Sequence, residues 1–233
     1  MPNKIKNCFD KNLTFEKMIE AHERAKRGKM SRYEVLNFDL NLEPNIVNLV
    51  ENIRNNKYKM GAYRIFTVHE PKIRIIKALP YVDRVVHQWY VEEFIKRYIV
   101  PKFIKDTYAC ICGRGTHKAV YCMQRYMRMA QRNYGKDYYV LKMDIKKFFY
   151  NIDHEILFKI MKNHISDKKL LNFTKLLIDS DDETIGIPIG NYTSQFFANI
   201  YLDRLDKFIK HKLKIKYYVR YMDDFVLLVK DKE

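Results

Sequence analysis

The sequence is poor in cysteine and has no long apolar run, and each shortage excludes a class of protein. Its four cysteines are too few for a disulfide framework in a chain of 233 residues, which indicates a reducing compartment. The first residues, MPNKIKNCFDKN, lack the apolar centre of a signal peptide, and the longest apolar runs, such as Phe225 to Val229, are far too short to span a membrane. The sequence therefore predicts a soluble, cytoplasmic protein without a membrane partner.

Flexible linkers are also missing. Only 6 prolines and 7 glycines punctuate the chain, and we find no internal repeat or low-complexity tract. An apolar fraction of 47% argues against intrinsic disorder, and the length fits one large domain or two smaller ones that pack together. Any division into lobes must therefore be one of packing.

Acidic residues are outnumbered throughout the chain. There are 28 Asp and Glu against 44 Lys and Arg, which gives a formal net charge of +16. The excess is spread from Lys4 to Lys232, so it is not a basic tail. Such a charge favours a polyanionic partner, although a basic surface that serves only solubility explains it equally well.

The few cysteines allow one alternative, a metal site. Cys110, Cys112 and Cys122 lie near His117 in sequence, but their spacing fits no common zinc pattern. Buried or half-exposed thiols are the main interpretation.

Local patterns predict helices and one hairpin in the first part of the chain. Thr14 is a suitable cap for a helix that stops at Gly28, and a second helix is expected after Pro44. The stretch from Tyr63 to Ala78 is rich in β-formers and is broken at Glu70-Pro71, which predicts a basic hairpin.

Two longer helices are predicted next. Pro80 opens one that is expected to end before Pro101, with Trp89 in the core. Thr116 is expected to cap the other. Its predicted buried stripe consists of Ala119, Val120, Met123, Tyr126, Met127 and Ala130.

The second part of the chain alternates β-rich runs with helices. A β-rich run from Tyr138 ends at Asp144, and two runs near the end are separated by a turn with Met222, Asp223 and Asp224. The predicted helices begin after Asp153, cover Asp167 to Ile178, and run from Thr193 to about Leu213.

Three aspartates at strand ends suggest chemistry. Unneutralised carboxylates in a cleft are costly, so a cation is expected beside Asp223 and Asp224. If the strand that ends at Asp144 is a sheet neighbour of the hairpin, all three carboxylates converge at one sheet edge. Oxygen ligands without nearby His or Cys suit Mg²⁺, and two such ions about 3.5–4 Å apart support an in-line phosphoryl transfer. A basic protein with this site acts on nucleic acid or nucleotides.

The same pair has an ordinary explanation. Two aspartates at a hairpin turn are common turn chemistry. The run from Asp179 to Glu183 is equally acidic, and for it we expect a solvated loop. Residue types alone leave both interpretations open.

Longer motifs favour the catalytic interpretation. Tyr221-Met222-Asp223-Asp224, between YYVR and FVLLV, resembles the YMDD box of reverse transcriptases. LKMDIKKFFYNIDH is similar to the family's first palm motif, PKIRIIKALPYVDRVVH to its fingers motif, and CGRGTHKAV to the loop that bacterial members place before the palm. The motifs follow the family's order and cover most of the chain from about Tyr63 onward.

The resemblance implies a metal site in the palm. Asp144, Asp223 and Asp224 would be the catalytic residues and would bind two Mg²⁺ ions, for which Mn²⁺ is a substitute. The Ile145 carbonyl would be a lesser ligand, and Tyr221 and Met222 would form the motif turn.

The resemblance also implies a nucleotide-binding set. Phe149 would lie beneath the incoming sugar and exclude a 2′-hydroxyl, while Arg74 and Lys72 would hold the phosphates. The other residues of this set are Lys147, Phe148, Ile189, Gly190 and Gln195.

One segment departs from the usual family pattern. Most reverse transcriptases have Gln-Gly followed by Ser-Pro at the start of the palm helix, whereas here the segment from Ile189 to Gln195 is IGNYTSQ. This resembles the variant of diversity-generating retroelements, which copy a template RNA with frequent errors at adenines. An Ile in place of the amide removes a hydrogen-bonding group near the nucleotide, which predicts looser discrimination.

The resemblance thus predicts an α+β fold with the fingers and palm of a right-hand polymerase, the palm having a small antiparallel sheet backed by helices. Residues 1–137 are assigned to the N-terminal helices and fingers with part of the palm helices, and 138–233 to the palm with the catalytic motifs. Because the sequence stops soon after the YMDD box, the helical thumb is expected to be missing, which puts independent polymerase activity in doubt.

The predicted function is RNA-directed DNA polymerisation of the error-prone retroelement type, with template RNA, DNA primer and dNTPs as partners and an accessory protein as a further candidate. The alternatives are a group II intron, retron or abortive-infection reverse transcriptase, and a non-catalytic RNA-binding relative.

Overall fold

The structure, a computed structural model, describes residues 4–181 and 183–231. It combines helices with two small antiparallel sheets, which confirms the α+β class. The helices are α1 (Phe9–Asn12), α2 (Phe15–Ala25), α3 (Tyr33–Leu40), α4 (Leu42–Arg54), α5 (Tyr81–Tyr90), α6 (Thr116–Tyr134), α7 (His154–His164), α8 (Lys168–Ile178) and α9 (Tyr192–Lys207). The strands are β1 (Arg64–Val68), β2 (Arg74–Ala78), β3 (Tyr139–Asp144), β4 (Tyr217–Tyr221) and β5 (Asp224–Val229). Segments of π-helix extend α5 over Val91–Ile99 and α9 over Phe208–Lys212, and 3₁₀ turns cover Val100–Lys102 and Phe148–Asn151.

The first sheet is the predicted hairpin, and the second meets the condition stated for the three aspartates. β1 and β2 form the antiparallel hairpin, in which Arg64 lies opposite Ala78 and Val68 opposite Arg74. The second sheet has the order β3-β5-β4, and all its neighbours are antiparallel. The strand that ends at Asp144 is therefore a direct neighbour of the hairpin that carries the aspartate pair.

The chain divides into two compact units, each made of two separate segments. The first consists of Met1–Ile99 with Phe149–Ser194, and the second of Val100–Phe148 with Gln195–Glu233. These units do not test the functional division between 137 and 138, which stays a prediction.

An aromatic cluster forms the centre of the first unit. Trp89 is fully buried, as predicted, and its ring lies 5.7 Å from Phe9, 5.3 Å from Phe94 and 5.6 Å from Phe173, measured between centroids. Its indole N–H donates to the Asn12 carbonyl oxygen at 2.7 Å, so the one polar atom of the side chain is satisfied.

Side-chain caps begin three of the predicted helices. The Thr14 hydroxyl accepts from the Lys17 amide, Asp153 from the Ile156 amide, and Asp167 from the Lys169 and Leu170 amides. Such caps satisfy amides that have no partner inside the helix, so these starts were predictable from sequence.

Two helix boundaries differ from the predictions. α3 was not predicted, and α4 begins at Leu42, before Pro44. Proline is compatible with a first helical turn because the amides there have no intrahelical acceptor. α3 has little amphipathic signal, since apolar residues such as Leu40 are 80% exposed.

The buried side of α6 is narrower than predicted. Ala119, Cys122 and Ala130 are buried, but Val120 is 50% exposed and Met127 41% exposed, so their assignment to the core was wrong. The cap is Gly115, and Thr116 is the first helical residue.

Among the described residues, no helix is long and apolar enough to cross a membrane.

Candidate active site

Two of the three predicted catalytic aspartates lie directly opposite each other on neighbouring strands of the second sheet. Asp144, the last residue of β3, is the register partner of Asp224, the first residue of β5. Directly opposite residues of an antiparallel pair have Cα atoms about 4.5–5.5 Å apart. Both side chains are exposed at the end of the sheet, so two carboxylates are within reach of one ligand.

The third aspartate lies in the turn that joins β4 to β5. Tyr221 pairs with Asp224, which leaves Met222 and Asp223 as a two-residue hairpin loop. Met222 has a φ of 56°, and a positive φ at the first loop position is what the mirror-image hairpin turns require. Asp223 is half-buried, while Asp224 faces solvent. The YMDD box is thus a tight turn that places two neighbouring carboxylates at the end of the sheet.

A fully buried arginine stabilises this turn by a hydrogen bond to its backbone. The Arg220 Nη1 donates to the Met222 carbonyl oxygen at 2.8 Å. The same guanidinium binds Asp206 of α9 with two bonds, from Nε to Oδ1 at 2.7 Å and from Nη2 to Oδ2 at 2.6 Å. Both side chains are completely buried, and the bidentate geometry is the strongest form of this ion pair.

Other polar groups complete the network around the pair. Asp206 also accepts from the Tyr218 hydroxyl at 2.6 Å and from the Thr107 hydroxyl at 2.8 Å, and the Arg220 Nη1 also donates to the Asn199 Oδ1 at 2.9 Å. Burial, followed by the Asp206 charge, raises the pKa of Tyr218 well above its usual range, so the phenol remains a donor. The buried charges therefore have several partners, which is the condition for their stability.

The segment before α6 lies along the outer edge of β4. The Arg220 amide donates to the Asp106 carbonyl oxygen at 2.9 Å, and the Tyr108 amide donates to the Arg220 carbonyl oxygen at 3.0 Å. Arg114 of the basic loop Gly113-Arg114-Gly115 holds this segment, since its Nη1 donates to the Ile104 and Thr107 carbonyl oxygens at 2.9 and 2.6 Å. The basic loop has a structural role here that the sequence did not predict.

The donor set at the sheet edge fits Mg²⁺. Asp144, Asp223 and Asp224 offer carboxylate oxygens, which are the ligands that Mg²⁺ prefers. Within residues 4–181 and 183–231, no three His, Cys, Asp or Glu side chains are grouped closely enough to hold a metal ion. The sheet register brings the backbones of the aspartates together, and their metal-binding role stays a prediction. The described cysteines form no metal cluster either; Cys8 and Cys122 are buried, Cys110 is half-buried and Cys112 is exposed, all as free thiols.

The predicted phosphate-binding residues lie on the hairpin of the first unit. Lys72 lies in the connection between β1 and β2, and Arg74 is the first residue of β2. Both side chains are exposed, so their charges are available to a ligand.

The segment from Ile189 to Gln195, which departs from the usual family pattern, begins next to the same hairpin. The Lys77 amide of β2 donates to the Ile189 carbonyl oxygen at 2.9 Å. Gly190 has a φ of 134°, and a Cβ there would lie 2.5 Å from the Lys77 carbonyl oxygen. Only glycine fits this approach. Ile189 also lines a cavity of about 250 Å³ together with Ile75, Lys77 and Tyr150.

The remaining predicted nucleotide-binding residues divide between exposed and packed positions. Lys147 is exposed with a φ of 51°, whereas Phe148 is buried with its ring edge-on to Tyr201 at 6.2 Å. Phe149 is half-buried, and its carbonyl oxygen accepts from the Ile187 amide at 2.8 Å. Gln195 is exposed at the start of α9 and accepts from the Cys110 thiol at 3.2 Å. Their roles with a nucleotide stay predictions.

The acidic run is more structured than predicted. Asp179 pairs with Lys175 at 2.6 Å and with the His154 ring at 3.1 Å, and Asp181 pairs with Lys77. Asp182 lies outside the described residues. Asp179 is nevertheless exposed, in agreement with the predicted solvated loop, whereas Asp181 is half-buried, so the prediction was wrong for Asp181.

The fold resembles those of telomerases of known structure. Telomerase from Candida albicans, solved with a fragment of telomeric RNA, matches with a TM-score of 0.54 and 11% identity over 76% of this chain and 39% of that chain. Apo telomerase from Candida tropicalis, truncated from its C-terminal domain, matches with a TM-score of 0.52 and 12% identity over 81% of this chain and 49% of that chain. At these identities the likeness concerns the fold, and it confirms the predicted α+β architecture of fingers and palm.

The sequence itself defines the family. A profile described as "Reverse transcriptase (RNA-dependent DNA polymerase)" matches residues 59–233, well over half of the chain. The chain therefore belongs to the reverse transcriptase family.

Two relatives are encoded within introns, according to their names. The "Putative COX1/OXI3 intron 2 protein" of Saccharomyces cerevisiae is 34% identical over 83 residues, 32% of this chain and 10% of the relative. An "Uncharacterized 91 kDa protein in cob intron" of Schizosaccharomyces pombe is 24% identical over 159 residues, 65% of this chain and 18% of the relative. This chain spans less than a fifth of the length of either.

Proposed function

We propose that this chain carries the polymerising centre of an RNA-directed DNA polymerase, which adds dNTPs to the 3′-hydroxyl of a DNA primer on an RNA template. The observation that carries the proposal is the register of the second sheet, in which Asp144 lies opposite Asp224 and Asp223 occupies the adjoining turn. Membership of the reverse transcriptase family supports the reaction class.

The three aspartates hold the metal ions in this proposal. Asp144, Asp223 and Asp224 would supply carboxylate ligands to two Mg²⁺ ions, and the Ile145 carbonyl would be a lesser ligand. When bound, the ions lower the pKa of the primer hydroxyl and neutralise charge on the triphosphate. The tight turn and the buried guanidinium of Arg220 keep the carboxylates in place, which is the preorganisation that such a site needs.

Side chains of the fingers and palm select the nucleotide. Lys72 and Arg74 neutralise the phosphates, and the backbone at Lys147 and Phe148 approaches them. The ring of Phe149 blocks the position of a 2′-hydroxyl. A Phe149→Ala variant is therefore expected to incorporate ribonucleotides with a higher kcat/KM than wild type, while dNTP use falls by a smaller factor.

The template is read by base pairing. Protein contacts with it go mainly to phosphates, sugars and the A-form shape, so they are general in sequence.

Primer extension on an RNA template tests the polymerase proposal. In the full-length protein, Asp223→Asn should lower kcat by a hundredfold or more, since one metal ligand loses its charge. The matched control is Asp137→Asn, the same change at an exposed aspartate outside the sheet edge, and it should extend like wild type.

The contrary result is equally clear. A wild-type protein that binds RNA but extends no primer with Mg²⁺ or Mn²⁺ would support the non-catalytic alternative. Equal extension by Asp223→Asn and wild type would remove Asp223 from the metal site.

For the subtype, we propose the error-prone polymerase of a diversity-generating retroelement. The support is the IGNYTSQ segment, in which the half-buried Ile189 occupies the position where most of the family has an amide. Ile189→Gln should lower misincorporation opposite template adenine, as measured by sequencing of the products. An unchanged error spectrum would contradict the role of Ile189.

The intron-encoded type is the second candidate. It is favoured by the names of the two relatives, both of which refer to an intron. The two candidates differ in template, so extension from an intron RNA, compared with a template repeat, separates them.

A further inference from the structure

Helix α6 carries a concentrated positive charge. It has 19 residues and no Asp or Glu, and it contains Lys118, Arg125, Arg128 and Arg132. At about 100° per residue, these four side chains project within an arc of about 80°, along a line about 21 Å long. Tyr121 falls inside the same arc. We call these five residues the basic face of α6.

The opposite side of the helix packs on the second sheet. Ala119 and Cys122 belong to one buried cluster with Val219 of β4, and Ala130 belongs to another with Tyr217 and Leu228 near the other end of the strands. Because the buried side lies against the sheet, the basic face points away from it. All four cations are exposed, and Tyr121 is 67% exposed.

The basic face has no acidic neighbours to compensate it. In the part of the chain that the structure describes, none of its four cations forms an ion pair with Asp or Glu. Some exposed cations on other helices form such pairs within one turn, as in Arg24 with Glu20 at 3.0 Å and Lys175 with Asp179 at 2.6 Å. Like charges one turn apart repel, so this helix differs from an ordinary solvated surface.

We infer that the basic face of α6 binds the phosphate backbone of a single-stranded RNA segment, at a surface separate from the catalytic aspartates. The identity of the polyanion as RNA rests on the proposed function. Arginine forks match phosphate oxygens, and an exposed tyrosine between them is a stacking platform for an unpaired base. A duplex would not offer its bases to such a platform, and the vesicle measurement below distinguishes RNA from an anionic membrane surface.

The position of the face indicates what the contact does. The catalytic turn lies at the end of β4 and β5, whereas the basic face lies on the side of α6 remote from these strands. RNA held there is not the templating nucleotide. It is a part of the same RNA that anchors the polymerase outside the site of chemistry.

Salt-dependent binding of RNA tests the inference. The variant replaces the four cations of the face by glutamine, which keeps the helix propensity and a polar stem. The matched control removes four exposed lysines of the first unit, Lys6, Lys11, Lys57 and Lys159, in the same way, so both proteins lose the same charge. Binding of a labelled single-stranded RNA of about 20 nucleotides is measured by fluorescence anisotropy at increasing KCl.

The α6 variant should lose about 0.7 from the slope of log affinity against log salt for each phosphate contact, so about 3 for four contacts. In the control variant, the same slope should fall by less than 1. Equal losses in the two variants would overturn the inference, because they would reflect net charge alone. Circular dichroism verifies that both variants are folded.

Tyr121 provides an independent measurement. Tyr121→Ala should weaken RNA binding about fivefold or more with little change in the salt slope, and Tyr121→Phe should restore it, because the ring is retained.

Binding to anionic vesicles tests the alternative partner. If the α6 variant lost binding to these vesicles while its binding to RNA stayed unchanged, the face would be assigned to a membrane and the inference would be overturned. None of these measurements requires polymerisation, so they can be made whether or not the chain extends a primer. Failure of extension and failure of this RNA site are therefore distinguishable.

Discussion

The Arg220 guanidinium donates a hydrogen bond of 2.8 Å to the Met222 carbonyl oxygen, and so connects a buried ion pair to the turn that carries Asp223. The ion pair with Asp206 is fully buried on both sides. Removing one partner of such a pair leaves an uncompensated charge in the core. The stability of the palm and the position of the catalytic turn thus depend on the same side chain.

Arg220→Met should destabilise the chain by about 3–5 kcal/mol, since Asp206 is left buried and unpaired. The double variant Arg220→Met with Asp206→Leu should recover most of this loss, because neither charge remains. Urea unfolding measures both values. A single variant as stable as wild type would contradict the assignment of the pair.

The double variant also isolates the effect on the turn. It still lacks the bond to the Met222 carbonyl, so amide hydrogen exchange at Asp223 and Asp224 should be faster than in wild type. Unchanged exchange at these amides would show that the turn keeps its position without Arg220.

Gly190 should be intolerant of any side chain. A Cβ would meet the Lys77 carbonyl oxygen at 2.5 Å, and the φ of 134° is unfavourable for other residues. Gly190→Ala should therefore lower the free energy of unfolding by about 2 kcal/mol or more. Gly28→Ala is the matched control: its φ is 68°, but nothing lies within 4 Å, so only backbone strain is added. Equal losses of unfolding free energy in the two variants would mean that the hairpin backbone shifts to accommodate the Cβ at no energetic cost.

The cysteines should react in the order of their exposure. Burial, together with the Asp167 charge, raises the pKa of Cys8 to about 11, whereas Cys112 is exposed. Because the thiolate is the reactive form, iodoacetamide at neutral pH should modify Cys112 first and Cys8 only after unfolding. Peptide mass spectrometry follows each site, and Cys112→Ser should remove the fast phase. Rapid modification of Cys8 in the folded chain would contradict its burial.

The parts of the fold that depend on local sequence were predictable. Asp153 and Asp167 cap the expected helices, and the β-rich runs before Asp144 and after Asp224 are strands. That these two strands are neighbours in one sheet could only be stated as a condition, because the pairing of distant strands depends on contacts that no local pattern encodes.

The hydrogen-bond network of Arg220 and Asp206 beside the catalytic turn was not predicted, for the same reason. Arg220 looks like an exposed strand residue until Asp206 of α9 and Thr107 are placed beside it. One signal was present: Arg220 alternates with Tyr218 on one side of β4, a strand that is buried up to Tyr221. A charged residue in a strand buried on both sides requires a buried partner.

His87 should make stability depend on pH. It is completely buried; its Nδ1 lies 2.9 Å from the Thr193 hydroxyl and its Nε2 3.4 Å from the Met60 Sδ, and neither of these groups is charged. Burial lowers the pKa of His87 to about 3, whereas an unfolded histidine titrates near about 6.5. As pH falls through this interval the unfolded chain binds a proton that the folded chain does not, so stability is lost on acidification. Between about pH 6 and pH 5 the contribution approaches about 1.4 kcal/mol per pH unit, and His87→Gln should remove it. Unfolding in urea at several pH values measures the difference in slope between the two proteins, in which all other titrating groups cancel. Equal slopes would mean that His87 is protonated in the folded chain.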